Sequence, residues 1–111
     1  MDTAEKQKVY PLAIEAEVIE ALRTVYDPEI PVNIYDLGLI YEITSDDEGQ
    51  VNIRMTLTSP ACPVAGILPG QVEEAARRVE GVTDVRVELV WEPSWSMDLM
   101  SEEAKLELGF F

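Results

Sequence analysis

Residues 39–58, LIYEITSDDEGQVNIRMTLT, decide the fold because they predict a β-hairpin. Residues 39–44 are rich in β-branched and aromatic side chains, SDDEGQ provides turn chemistry around Gly49, and residues 51–58 alternate between apolar and polar. Side chains of a strand point alternately to opposite faces, so the second strand presents one face to the core. The core face holds Val51, Ile53, Met55 and Leu57, and the polar face holds Asn52, Arg54, Thr56 and Thr58.

Amphipathic helices are predicted on both sides of the hairpin. Before it, apolar residues recur at helical spacing over residues 14–26, and Pro28 ends this helix because its ring disfavours the helical conformation of the preceding residue. After it, a second apolar stripe runs over residues 68–79. Proline is tolerated only near a helix start, so we expect the main helix to begin near Pro69 and to end at Gly81.

Three further segments complete the pattern. Residues 83–91 alternate as a third strand, residues 92–98 are typical of a loop, and residues 101–108 predict a short helix that ends at Gly109. Between the first helix and the hairpin, residues 27–38 contain two prolines and predict an ordered loop.

The predicted order is therefore helix, strand, strand, helix, strand and a short C-terminal helix. Helices on one face of a small mixed sheet would bury all the apolar stripes. This predicts an α+β fold, a two-layer α/β sandwich, in a single domain over residues 13–111 that follows a flexible tail, residues 1–12. RNA-binding KH domains can have a similar order, but the sequence lacks their GxxG phosphate clamp.

Charge and composition exclude several classes of partner and of enzyme. The chain of 111 residues has 22 acidic and 8 basic side chains and a formal net charge of −14, the wrong sign for binding nucleic acid or an anionic membrane. It contains no histidine, which excludes the Cys-His dyad, the Ser-His-Asp triad and every His-ligated zinc site. No recognisable catalytic constellation is left, so we do not expect an enzyme.

The sequence also predicts a compartment. Its first residues, MDTAEKQKVY, lack the apolar stretch of a signal peptide, and no run approaches the ~20 apolar residues of a membrane-spanning helix. One cysteine cannot close an intramolecular disulfide, which fits a reducing environment. We therefore expect a cytoplasmic protein with a free thiol.

That cysteine, Cys62, lies between Pro60 and Pro63. Pro63 suits the first position of a helical turn, which we expect over residues 63–68 and which would place Cys62 at its N-cap. Backbone N–H groups and the helix dipole would then favour the thiolate, so Cys62 could act as a nucleophile or a metal ligand. A free cysteine is also common as a small buried hydrophobe, and the spacing alone leaves both interpretations open.

Several polar residues could surround the thiol. Thr56 and Thr58 lie on the polar face of the strand that leads to it, so their hydroxyls could line a pocket, although exposed β-branched filler is the simpler interpretation. The loop before the hairpin carries the carboxylates of Asp27, Glu29 and Asp36. Asp27 or Glu29 could fold back toward the thiol as an oxygen ligand or proton acceptor, or could serve only turn chemistry and solvation.

Three further side chains favour structural roles. Arg54 could pair with a loop carboxylate and so order the loop. Trp91 and Trp95 are favoured as packing residues.

Apolar residues near the end of the chain predict a homodimer. Trp95, Met97, Met100 and the Phe110-Phe111 pair lie in loop or tail segments that a core of this size does not cover completely. The tail could fold back and seal the sheet edge or the helix layer. Large exposed apolar patches are uncommon on monomers, so we expect a two-fold dimer or a client contact to cover the remainder.

Five segments, within residues 14–109, together resemble the MIP18-like family and especially its SufT branch. They are YDPEIPVNIYDLGLIYEI, MTLTSPACPVAG, VEGV, VRVELVWEPSW and MSEEAKLELG, and their order and spacing carry the resemblance. It implies the small two-layer α/β fold and a role in maturing iron-sulfur proteins. The positions that match the family's site motifs are Asp27, Glu29, Thr56, Thr58 and Cys62.

The resemblance leaves the mechanism open. A stable cluster usually needs four thiolates, so one chain with one cysteine cannot hold a resident cluster. Two chains could bridge a transient cluster through paired Cys62 residues, Cys62 could relay iron or a cluster to a client, or the protein could be an adaptor whose thiol matters little. A thiol-dependent enzyme would need an activated Cys62 without histidine. The implied partners are iron-sulfur scaffold or carrier proteins and apo client proteins.

Overall fold

The computed structural model describes residues 11–27, 30–58 and 67–109. Within these ranges the predicted α+β fold is confirmed, with helices packed on one face of a three-stranded mixed sheet. None of the helices described there is long and apolar enough to cross a membrane. The elements in chain order are α1 (Pro11–Leu22), α2 (Ile34–Leu37), β1 (Ile40–Ser45), β2 (Gln50–Met55), α3 (Leu68–Arg77), β3 (Asp84–Leu89), a 3₁₀ turn (Met97–Leu99) and α4 (Glu102–Glu107).

The sheet has β2 at its centre. β1 pairs with β2 in the antiparallel sense, and β3 pairs with β2 in the parallel sense. Parallel neighbours need a long crossover connection, and α3, which starts next to the predicted Pro69, provides it. A register shift between Ile40 and Glu42 marks a bulge in β1, so Tyr41 stands outside the regular alternation of that strand.

The predicted core face of β2 is confirmed. Val51, Ile53 and Met55 are buried, whereas Asn52 and Arg54 between them are exposed. Helix α1 contacts β1 and α3, and α3 contacts β3, so the two long helices form the second layer. Each fully buried aliphatic side chain contributes about 1.5–3 kcal/mol, and this shared core holds the layers together. The helices add Ile14, Val18, Leu22, Leu68, Val72, Ala75 and Ala76 to it.

Helix α1 begins and ends earlier than the apolar pattern predicts. It spans Pro11–Leu22, and the Thr24 hydroxyl donates to the Ala21 carbonyl at 2.6 Å just beyond its end. Side-chain hydrogen bonds of this kind compete with helix continuation. Tyr26 then forms an isolated bridge with Asn33 and is 56% exposed, so its predicted place in the helical stripe is wrong.

The predicted loop before β1 contains the four-residue helix α2. The Asn33 side chain caps its start by accepting a hydrogen bond from the backbone N–H of Asp36 at 2.9 Å, and Gly38 ends it with φ +88°. The apolar pattern is too short to predict this helix, but its two capping residues mark both ends.

The C-terminal segment folds back over α2. The backbone N–H of Ser101 donates to the Asp36 carbonyl at 2.8 Å, and Met100 and Ala104 are buried. Several apolar side chains stay exposed on this segment. They are Met97, Leu99 and Leu106. The Phe110-Phe111 pair lies outside the described residues.

The hairpin turn is fastened to the turn that precedes β3. Gly49 has φ +85°, and a Cβ at this position would collide with the backbone carbonyl of Gly81. The backbone N–H of Thr83 donates to the Gly49 carbonyl at 2.8 Å, and the Thr83 hydroxyl donates to the Glu48 carbonyl at 2.8 Å. Only glycine meets both the conformation and the space at this contact.

Candidate functional site

A pocket lies where β2 and β3 end. Because the two strands are parallel, their carboxyl ends meet at one edge of the sheet, where the backbone N–H of Val90 donates to the Met55 carbonyl at 2.8 Å. An open pocket of about 400 Å³ occupies this edge. We call it the strand-end pocket, and it is lined by Thr56, Leu57, Thr58, Trp91, Glu92, Ser94 and Trp95.

One wall of the strand-end pocket, residues 91–95, is anchored at two points. The indole Nε1–H of Trp95 donates to the Leu37 carbonyl at 2.7 Å, and the Tyr41 hydroxyl donates to the Pro93 carbonyl at 2.7 Å. The peptide bond that precedes Pro93 is cis. Since these hydrogen bonds reach α2 and β1, the wall is tied to elements other than the strand it follows.

Thr56 does not occupy the exposed, polar-face position that the alternation predicts. It is 1% exposed, and the adjacent Leu57, predicted to be in the core, is 3% exposed. The alternation fails because β2 ends at Met55, and the Thr56 backbone N–H donates to the Leu39 carbonyl at 2.8 Å. Within residues 11–27, 30–58 and 67–109, the Thr56 hydroxyl makes no hydrogen bond of standard geometry, although the Tyr41 phenol lies near enough for the two hydroxyls to interact. A buried hydroxyl in that state destabilises a fold by about 1–3 kcal/mol.

We expect Thr56→Val to raise the free energy of unfolding by about 1 kcal/mol, because valine keeps the shape of threonine and removes the unpartnered hydroxyl. Urea denaturation would measure the change. Thr58→Val is the matched control, since Thr58 is only half-buried, and it should stay within about 0.5 kcal/mol of the parent. A clear loss of stability in Thr56→Val would show instead that the hydroxyl stabilises the folded chain.

Tyr41 stands beside this hydroxyl. Burial raises the pKa of the Tyr41 phenol above its ordinary 10.0, the Thr56 hydroxyl lowers it because it can donate to the phenolate, and the negative charge of Glu92 raises it. The phenol is therefore protonated at neutral pH, as its ordinary pKa already requires, and it donates to the Pro93 carbonyl.

Asp27 closes a turn. It is 4% exposed, its Oδ1 accepts a hydrogen bond from the Ile30 backbone N–H at 3.0 Å, and its own N–H donates to the Val32 carbonyl at 3.3 Å. It is not among the residues that line the strand-end pocket. Asp36 is likewise engaged locally, since it accepts from the Asn33 side chain at 2.8 Å. The turn chemistry considered for Asp27 is therefore present in the structure.

Glu29 and Cys62 lie outside the described residues, as do Pro63 and most of the turn predicted over residues 63–68. The chain between Thr58 and Cys62 is short, and four residues span at most about 14 Å. Among the described residues, no three His, Cys, Asp or Glu side chains gather into a metal site. Iron-sulfur clusters are held by thiolates, so the hydroxyls of Thr56 and Thr58 do not fit as cluster ligands.

Among the described residues, Arg54 pairs with carboxylates of the sheet and not with Asp27 or Asp36 of the loop. It lies 3.8 Å from carboxylate oxygens of Glu42 on β1 and of Glu88 on β3. Arg54 also lines a second open pocket, of about 530 Å³, which shares Glu92 with the strand-end pocket. Thr56 and Thr58 line the strand-end pocket and not the larger one, so we place the candidate site in the strand-end pocket.

The two tryptophans have a role that the sequence analysis misses. Trp95 is half-buried and packs against the core as predicted, but Trp91 is 42% exposed, and both line the strand-end pocket. The order of the elements along the sequence could have predicted this role of the tryptophans. A strand, a helix and a strand in succession favour parallel pairing, which brings the segment after the third strand beside the segment after the second.

Residues 15–89 match the model of a family described as iron-sulfur cluster assembly protein. The chain is 52% identical over 99 residues to an Fe-S protein maturation auxiliary factor of Porphyromonas gingivalis, which covers 89% of this chain and 94% of that protein. It is 41% identical over 85 residues to the Fe-S protein maturation auxiliary factor SufT of Staphylococcus aureus, with 77% and 97% covered. A crystal structure of a domain of unknown function from Bacillus anthracis has a TM-score of 0.84 and 38% identity and covers 91% of this chain and 96% of that one.

Proposed function

Because this chain belongs to the family of iron-sulfur cluster assembly proteins, we propose that it is an accessory factor in the maturation of client iron-sulfur proteins. The resemblance to the MIP18-like family and its SufT branch is confirmed by the family match and by the named relatives. Those two relatives are matched over nearly their whole lengths, so the proposal concerns the complete domain and not a shared fragment.

The strand-end pocket is the observation that carries the proposal. It combines a buried hydroxyl that lacks a partner in the described part of the chain, a half-exposed aromatic wall and the start of the segment that leads to Cys62. We infer that this edge of the sheet, from which the chain continues to Cys62, receives a partner protein.

The iron or cluster is cargo in this proposal and not a resident cofactor. The Cys62 thiolate would supply one ligand, and the remaining ligands would come from a partner or from a second copy of the chain. Scaffold or carrier proteins and apo client proteins are the partners that this role requires. We further propose that the protein is cytoplasmic and is not an enzyme. We also propose that it forms a two-fold dimer, and light scattering at micromolar concentration would test this oligomeric state.

The test is complementation in a bacterium whose own copy of the gene is deleted. We expect the deletion to lower the activity and iron content of a [4Fe–4S] enzyme while the level of its polypeptide stays constant, and the parent chain to restore both. Cys62→Ser should restore them about tenfold less effectively, because serine removes the thiolate ligand. Asp47→Asn, in the exposed hairpin turn, is the control and should match the parent.

Two results separate the alternatives. Full restoration by Cys62→Ser would leave docking in place and remove the thiol from the mechanism, so the protein would be an adaptor. An unchanged [4Fe–4S] enzyme in the deletion strain, measured under both iron-rich and iron-poor growth, would overturn the maturation role itself.

A further inference from the structure

The lining of the strand-end pocket is rich in hydrogen-bond acceptors. Thr58 and Ser94 contribute two hydroxyls to the lining and Glu92 contributes a carboxylate, whereas the Thr56 hydroxyl is buried from solvent. Among the described residues that line the pocket, none is a lysine or an arginine. A group that enters the pocket therefore meets oxygen atoms that can accept hydrogen bonds, and one full negative charge.

The carboxylate of Glu92 is available for a ligand. In the part of the chain that the structure describes, Glu92 is exposed and makes no ion pair. Arg54 lines the adjoining pocket with Glu92, but its ion pairs are with Glu42 and Glu88. The net charge of −14 adds a long-range field that attracts cations and repels anions.

Aromatic side chains complete the site. The chain contains two tryptophans, and both line this pocket. The indole Nε1–H of Trp95 already donates to the Leu37 carbonyl, so a ligand would contact the ring of Trp95 and not its N–H group. Indole faces attract cations, and arginine in particular stacks on them through its planar guanidinium.

We propose that the strand-end pocket binds an arginine side chain of the partner protein, an inference that rests on the proposed function. The guanidinium carries five N–H donors in a plane, which matches a carboxylate, several hydroxyl acceptors and flanking indoles better than a single ammonium group does. Such an anchor would hold the partner at the edge of the sheet from which the chain continues to Cys62. The pocket thus positions the partner, and the thiol acts on what the partner carries.

Tryptophan fluorescence tests the inference directly, because every indole of the chain lines the pocket. The probe is acetyl-Gly-Arg-Gly-amide, titrated into the purified protein at low ionic strength. We expect a saturable change in emission with a millimolar dissociation constant that weakens as salt is added. The same peptide with citrulline, which keeps the shape and loses the charge, should bind at least about fivefold more weakly.

Two variants locate the binding. Glu92→Gln should weaken the arginine peptide by about fivefold, the effect of one exposed ion pair of about 1 kcal/mol. Glu80→Gln makes the same charge change at the other end of β3 and should bind like the parent. Far-ultraviolet circular dichroism confirms that both variants are folded.

The outcomes are distinct. The inference would be overturned if the citrulline peptide bound as tightly as the arginine peptide, or if Glu92→Gln bound the arginine peptide like the parent. It would also be overturned if the same peptide with lysine in place of arginine bound more tightly. The titration uses no client protein, so absent binding together with normal complementation would overturn this inference alone. Normal binding together with failed complementation would overturn only the maturation role.

Discussion

Replacing Gly49 with alanine is expected to lower the free energy of unfolding by about 2–5 kcal/mol. The left-handed conformation at φ +85° costs a residue with a Cβ about 1–2 kcal/mol. The same Cβ would collide with the Gly81 carbonyl, a backbone atom that cannot turn aside as a side chain would. The two turns would have to separate, which also weakens the hydrogen bond between Thr83 and Gly49.

Two other glycines of the chain separate these causes. Gly109 has φ +78°, and no described residue comes within 4 Å of a Cβ there, so Gly109→Ala should lose only about 1–2 kcal/mol. Gly70 lies in α3 and likewise has no neighbour of a Cβ in the described ranges, so Gly70→Ala should gain about 0.5–1 kcal/mol. Urea titration of the three variants gives the order directly. If Gly49→Ala lost no more than Gly109→Ala, the close contact between the two turns would be wrong.

Truncating Ile53 to alanine is expected to remove about 2–5 kcal/mol of stability. Ile53 is fully buried at the centre of the middle strand, where it stands opposite Ile43 on one side and Val87 on the other. The loss combines two terms, the transfer free energy of the deleted carbons and the cost of the cavity that they leave in the core. The size of the effect depends on how far the helix layer can collapse into that space.

The neighbouring residue is the matched control for Ile53. Asn52 points to the exposed face of the same strand, so Asn52→Ala should change the free energy of unfolding by less than about 0.5 kcal/mol. A one-residue slip in strand register turns every side chain to the opposite face. Comparable losses in the two variants would therefore contradict the register of β2.

The strands were predictable because alternation is a strong local signal. Val51, Ile53 and Met55 follow it without exception, and each is buried. The same signal fails at Thr56, which follows the last residue of β2 and is buried together with its neighbour Leu57. Sequence alone does not show where the strand ends, since Thr56 has the β-branched character of a strand residue.

Only part of the candidate site was predictable, and the reason differs from that for the strands. Thr56 and Thr58 could be named in advance from the motif that resembles the family, whereas the tryptophan wall could not. Trp91 and Trp95 reach the threonines through parallel pairing of strands that are distant in sequence, and through the bond from Trp95 to Leu37. Such contacts depend on the assembled sheet and leave no local pattern.

Parallel pairing of β2 and β3 also sets the order in which a newly synthesised chain becomes competent. Thr56 and Thr58 are translated before the helix and strand that bring Trp91 and Trp95 beside them, and Cys62 is translated shortly after the threonines. Ribosomes add about 5–20 residues per second, so the threonines wait about 2–8 s for the second wall of their pocket. During that interval the nascent chain already contains its thiol but lacks the assembled pocket. The strand-end pocket therefore exists only after the tryptophan wall has been translated and β3 has paired with β2.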